Sequence, residues 1–223
     1  MGREIYDIIN DMAEVLNASQ MQKLQEVLVK RLSENTVSDY LQTTNIVKDT
    51  IPDEKIEILR DNCNNLRDRA MIDFLLSTGI RVGELVRLNI DDIDFSEREC
   101  VVYGKGDKER KAYFDAKTKI HLLNYIESRT DNNIALFVSL NKPHSRLTES
   151  GVELRLREMG KKLGVEKVHP HKFRRTMATR AIEKGMPIEQ VQKILGHEQI
   201  DTTLRYAMVN QNNVKLSHRK YIS

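Results

Sequence analysis

A mainly α-helical domain with one small antiparallel sheet, an α+β arrangement, is the fold this sequence predicts, and three observations predict it. Apolar residues recur at spacings of three and four through most of the 223 residues, which is the helical period. A single stretch, "RECVVYGKGDKERKAYFD" at 98–115, breaks that period and places β-rich residues on both sides of "GKGDK", the mark of a hairpin. Glycine and proline signals then cut the periodic stretches into helix-sized pieces.

The elements follow in order. Ile5, Ile8, Ile9, Met12, Val15 and Leu16, then Met21, Leu24, Val27, Leu28 and Leu32, predict a helical hairpin over residues 1–33, with Ser19 and Gln22 as a capping box for its second arm. The small polar residues of "SENTVSDYLQTTNIVKDT" predict a linker over 34–50, ahead of a main domain at 51–223. Pro52 and Asp53 suit a first turn, so a helix is expected over about 52–63 with Ile56 and Leu59 inward. In the next helix Leu66, Ala70, Met71, Phe74 and Leu75 share a face, and "STG" at 77–79 stops it through a left-handed Gly79. Another helix starts near Arg81 with Val82, Leu85 and Val86 inward. Beyond the hairpin, helices are expected at about 116–128, 149–163 (Val152, Leu156, Met159 and Leu163 inward), 171–184 and 187–195, with a short one opening at Asp201. No internal repeat is present.

Composition excludes several classes. A hydrophobic content of 39% suits a globular core, and no apolar run is long enough to cross a bilayer. The acidic "MGREIYDIINDMAEV" lacks a basic n-region followed by an apolar stretch, so a cytoplasmic location is expected. Cys63 and Cys100 fit neither a disulfide framework nor a zinc site and are read as packing residues in a reducing compartment. The net charge of +3 is unevenly spread: residues 1–47 carry −3, which leaves +6 on the rest, with basic clusters at 105–111 and 155–180. Such clusters attract a polyanion but also occur on ordinary solvated surfaces.

"HPHKFRRTMATR" at 169–180 gathers two histidines and three arginines. On a helix His171 shares a face with both Arg174 and Arg175, and spacing alone selects neither arginine. Phe173, Met177 and Ile182 are expected in the core. Gly196 stops the following helix, so His197 emerges just past a helix end, and Tyr206 lies on the helix opened by Asp201. Imidazoles move protons, guanidiniums grip phosphates and a phenol can act as a nucleophile. Glu84, three residues after Arg81, is placed to orient that arginine. "DDID" at 91–94 follows a helix as a polar turn and has no partner motif for a metal, and His121, His144, His169 and His218 show no ligand spacing.

These motifs resemble the tyrosine recombinase (phage integrase) family over roughly residues 50–215. "PHKFR" carries the family's His-x-x-Arg as His171 and Arg174, "LGH" carries His197, and "TTLRY" places Tyr206 nine residues later. Upstream, "STGIRVGEL" resembles the first arginine box with Arg81, and "GKGDKER" resembles the hairpin whose lysine is Lys105. The resemblance implies the tyrosine recombinase catalytic fold and cleavage and rejoining of duplex DNA through a 3′-phosphotyrosyl link. In that scheme Tyr206 is the nucleophile, Arg81 and Arg174 clamp the phosphate, and Lys105 is the general acid with Lys108 a weaker rival. His171 assists deprotonation of the tyrosine, and His197 bonds a non-bridging oxygen. It implies no cofactor, no metal, no membrane and no small-molecule substrate. The partners implied are double-stranded DNA and further copies of the chain, assembled on DNA through the C-terminal tail. Competing expectations are a DNA-binding regulator or mobile-element relic that keeps the polar set without recombining, and a type IB topoisomerase.

Most members of that family close an N-terminal helical domain over the far side of the DNA. Residues 1–47 depart from this pattern: they predict two short helices and carry the wrong charge for gripping phosphates. A dimerisation piece, an end-capping element and the remnant of a lost core-binding domain all remain open.

Overall fold

The computed structural model describes residues 50–104 and 109–197 together with Thr203. The expected N-terminal hairpin, almost all of the linker, Lys105, Lys108, the Asp201 cap, Tyr206, His218 and the tail lie outside the described residues.

Helix α1 (Asp53–Asp61) begins just after Pro52, with Asp53 and Glu54 in its first turn and Arg60 in its last, charges that complement the helix dipole. It buries Ile56 and Leu59. Helix α2 (Leu66–Thr78) is buried along most of its length and packs against a later helix, α4 (Ala116–Glu127). Its Asn65 cap accepts from the Asp68 N–H at 2.8 Å, and Gly79 ends it at φ 61°. A side chain at Gly79 would be strained by that φ and would place Cβ 2.2 Å from Met177 Cε.

Leu66 departs from the expected inward face: it is 44% exposed. Side chains on a helix tilt toward its N-terminus, so the first residue points past the end of the helix rather than into the core. Arg67 and Asp68 are buried instead, paired with each other, and Arg155 Nε donates to Asp68 at 2.7 Å.

Helix α3 (Val82–Arg87) follows, with Arg81 as its cap. The sheet has three antiparallel strands in the order β1 (Ile93–Asp94), β2 (Glu99–Tyr103) and β3 (Glu109–Tyr113). Sequence patterning predicted β2 and β3 but read "DDID" as a turn throughout. Asp91 and Asp92 do lie in a 3₁₀ turn, whereas Ile93 and Asp94 pair with Cys100 and Glu99. Two residues are too few to show a period. Cys100, Val102 and Ala112 line the buried face of the sheet.

Helix α5 (Glu149–Lys162) is capped by Thr148 and buries Val152, Leu156 and Met159 as patterned. Helix α6 (Pro170–Glu183) starts one residue earlier than expected because Pro170 occupies its first turn. Helix α7 (Ile188–Leu195) ends at Gly196, φ 63°. Cys100 is buried. Cys63 is only half-buried, with its Sγ 3.2 Å from the Leu59 carbonyl, and burial is the main cause that pushes both thiols up to about 12.

The main core joins α1 to α5, the sheet and Phe173 of α6. A separate cluster of Ala178, Val191 and Leu195, flanked by Met177, Ala181, Ile182 and Met186, joins α6 to α7. Among the described residues no helix is long and apolar enough to cross a membrane, and no group of three His, Cys, Asp or Glu side chains could hold a metal.

Candidate active site

The last turn of α7 organises the site. A helix C-terminus leaves carbonyls without intrahelical partners and gathers partial negative charge there. Three consecutive carbonyls at this end each accept from a different guanidinium. Arg110 Nη1 donates to Ile194 O at 2.6 Å, Arg174 Nη2 to Leu195 O at 2.5 Å, and Arg81 Nη2 to Gly196 O at 3.1 Å. The arginines come from β3, α6 and the cap of α3, so four elements meet at one point.

Each arginine has a second anchor. Arg174, 3% exposed, also donates from Nη1 to Gly79 O at 2.6 Å, which ties α6 to the C-terminal end of α2. Arg81 donates from Nη1 to Glu84 Oε1 at 2.9 Å and from its backbone N–H to Glu84 Oε2 at 2.7 Å. Glu84 therefore orients Arg81 across one turn, as the spacing predicted. Arg110 donates from Nη2 to the same Glu84 Oε2 at 2.7 Å. Burial pulls the Arg110 pKa down, while the Glu84 carboxylate pulls it back up.

His197 follows directly. Its backbone N–H donates to Gln192 O at 3.2 Å, and its Nδ1 lies 2.8 Å from Thr203 Oγ1. Thr203 is helical and fully buried. Burial, then the charges of Arg174, Arg81 and Arg110, lower the His197 pKa to about 4, so the ring is neutral at physiological pH. His169 is lowered too, first by burial and then by His171, Arg175 and Lys172.

Of the six residues singled out in the sequence, the structure gathers Arg81, Arg174 and His197 around one helix end. His171 is exposed in the first turn of α6, one turn before Arg174, and its ring centroid lies 6.5 Å from that of His169. Lys105 and Tyr206 lie outside the described residues. Between the two arginines that spacing left open, Arg174 is the buried one that reaches Gly79 and Leu195, whereas Arg175 is half-buried.

Sequence reasoning missed Arg110 and Thr203. For Arg110 a signal was present: Ala112 faces inward, so strand alternation puts Arg110 on the same buried face, opposite Val102, and a buried charge needs partners. Gly196 has a matching role. A Cβ there would lie 2.7 Å from Arg110 Cδ and 2.8 Å from its Nε, so the glycine of "LGH" lets the arginine pass.

Residues 49–213 match the Phage integrase family. The chain is 35% identical over 199 residues to the tyrosine recombinase XerC of Staphylococcus aureus, covering 82% of this chain and 66% of that relative's length. The crystal structure of XerA recombinase is similar at 31% identity and a TM-score of 0.67, over 78% of this chain and 63% of that one. The XerH site-specific recombinase bound to its difH substrate shares the fold at 24% identity and a TM-score of 0.61, over 74% of this chain and 52% of that one. A family match across three quarters of the sequence, together with a relative 35% identical over 199 residues, shows the family: the chain belongs to the phage integrase family.

Proposed function

We propose that this chain is a site-specific DNA recombinase that cleaves and rejoins duplex DNA through a covalent 3′-phosphotyrosyl intermediate on Tyr206. The observation that carries the reading is the meeting of Arg81, Arg174 and His197 at the end of α7, with Thr203, three residues before Tyr206, hydrogen-bonded to His197. The relatives' names, XerC tyrosine recombinase and XerA recombinase, support it.

In this scheme the Tyr206 oxygen attacks the phosphorus in line, the bond to the 5′ oxygen breaks, and that oxygen leaves with a proton from Lys105. His171 takes the phenolic proton, since a phenol of pKa about 10 is scarcely ionised at neutral pH. Charge that builds on the non-bridging oxygens is met by the planar forks of Arg81 and Arg174. In the tautomer whose Nδ1 accepts the Thr203 hydroxyl proton, His197 carries its N–H on Nε2, the atom suited to donate to phosphate. A 5′ hydroxyl from a second duplex reverses the attack and completes strand exchange, so the scheme uses side chains alone. The partners are double-stranded DNA and further copies of the chain joined through the residues after Tyr206, and the setting is the cytoplasm.

Covalent trapping tests this. Incubated with a pool of nicked duplexes of randomised sequence, the protein should form a denaturant-resistant DNA adduct that is abolished in Tyr206→Phe. No adduct across the pool, or an adduct that persists in the variant, overturns the reading.

A further inference from the structure

Arg110 brings a third guanidinium into the cluster, and its surroundings are unusual. Its side chain is 11% exposed, and its Nε is buried with no hydrogen-bond partner among the described residues. The remaining nitrogens divide between the Ile194 carbonyl and Glu84 Oε2. Glu84 is 4% exposed and is the carboxylate that also pairs with Arg81. A buried carboxylate with one cationic partner draws that partner strongly, because charges attract more in a low-dielectric interior than in water. Two guanidiniums on one carboxylate leave the trio with a net charge of +1, whereas Arg81 and Glu84 alone would sum to zero.

We propose that Arg110 is a positioning residue for the phosphate-binding arginines. By sharing the Glu84 carboxylate it leaves Arg81 with charge to spend on the scissile phosphate, and by reaching Ile194 O it fixes the root of the β2–β3 hairpin to the end of α7. The hairpin matters because Lys105 lies between its strands in the sequence. Arg110 acts through Arg81 and the hairpin and needs no contact with DNA. The inference rests on the recombinase reading of the same site and deepens it.

Adduct formation on a trapped substrate tests the inference, with melting temperature and DNA affinity measured alongside. Arg110→Met should slow adduct formation by roughly 10- to 100-fold, less than the approximately 10²- to 10³-fold seen when a direct oxyanion donor is removed. Arg110→Lys, which keeps the charge but not the fork, should recover part of the rate. The double variant Arg110→Met with Glu84→Gln removes the excess anion together with its counter-charge, and it should be faster than Arg110→Met alone. A residue that only tethers β3 to α7 predicts no such recovery. An Arg110→Met protein within twofold of wild type, or a double variant no faster than the single one, overturns the inference while wild-type adducts uphold the reading beneath it. Absence of any wild-type adduct instead removes that reading and this inference together.

Discussion

Around Phe74 the interior is hydrocarbon: the rings of Phe114 and Phe137 lie 5.8 and 6.2 Å away, within the core that joins α1 to α5, the sheet and Phe173. Between α6 and α7 the fully buried apolar residues are Ala178, Val191 and Leu195, and the seam with α2, α3 and β3 is closed by guanidinium–carbonyl bonds. The first region is stabilised by area removed from water and is indifferent to direction. The second is stabilised by a few directional contacts, and in the proposed scheme the same groups face the scissile phosphate. Changes in the hydrocarbon region should cost stability, and changes at the polar seam should cost rate.

The sharpest separation is expected at Arg174. Arg174→Lys keeps the charge but cannot span Gly79 O and Leu195 O with one planar fork, and adduct formation should fall about 10³-fold, the scale of losing a phosphate-clamping arginine. A rate within tenfold of wild type would erase the contrast. Phe74→Ala should do the opposite. Chemical denaturation should show a loss of about 3–5 kcal/mol, while the rate per folded molecule is unchanged. Smallest is the response to acid. The His197 pKa is about 4 in the folded protein against 6.5 ordinarily, so between those values the unfolded chain binds more protons and stability declines as pH falls from 6.5 toward 4. Urea midpoints at pH 7 and pH 5 should differ less in His197→Asn than in wild type.

The same contrast explains what the sequence could disclose. Ile56, Leu59, Val152, Leu156 and Met159 follow the helical period, and their burial was legible because apolar residues at that spacing have one efficient place to go. Gly79 and Gly196 were legible as stops, and Glu84 as the partner of Arg81, because those relations span one turn. Leu66 misled because periodicity ignores the end of a helix, and β1 escaped because two residues carry no period. The bonds to the carbonyls of residues 194–196 were invisible for another reason. Every backbone has carbonyls, so nothing in a sequence marks which of them will receive an arginine from 84 or 115 positions away.

Those carbonyls give the centre a particular tolerance. Arg174 donates to two neutral backbone dipoles, Gly79 O and Leu195 O, and a buried contact of this kind is screened little by dissolved ions. Association with a phosphate backbone, in contrast, weakens steeply as counterions are added. On the proposed reading, rising ionic strength should therefore separate the chain from DNA long before it disarranges the guanidiniums, and activity lost in brine should return in full on dilution.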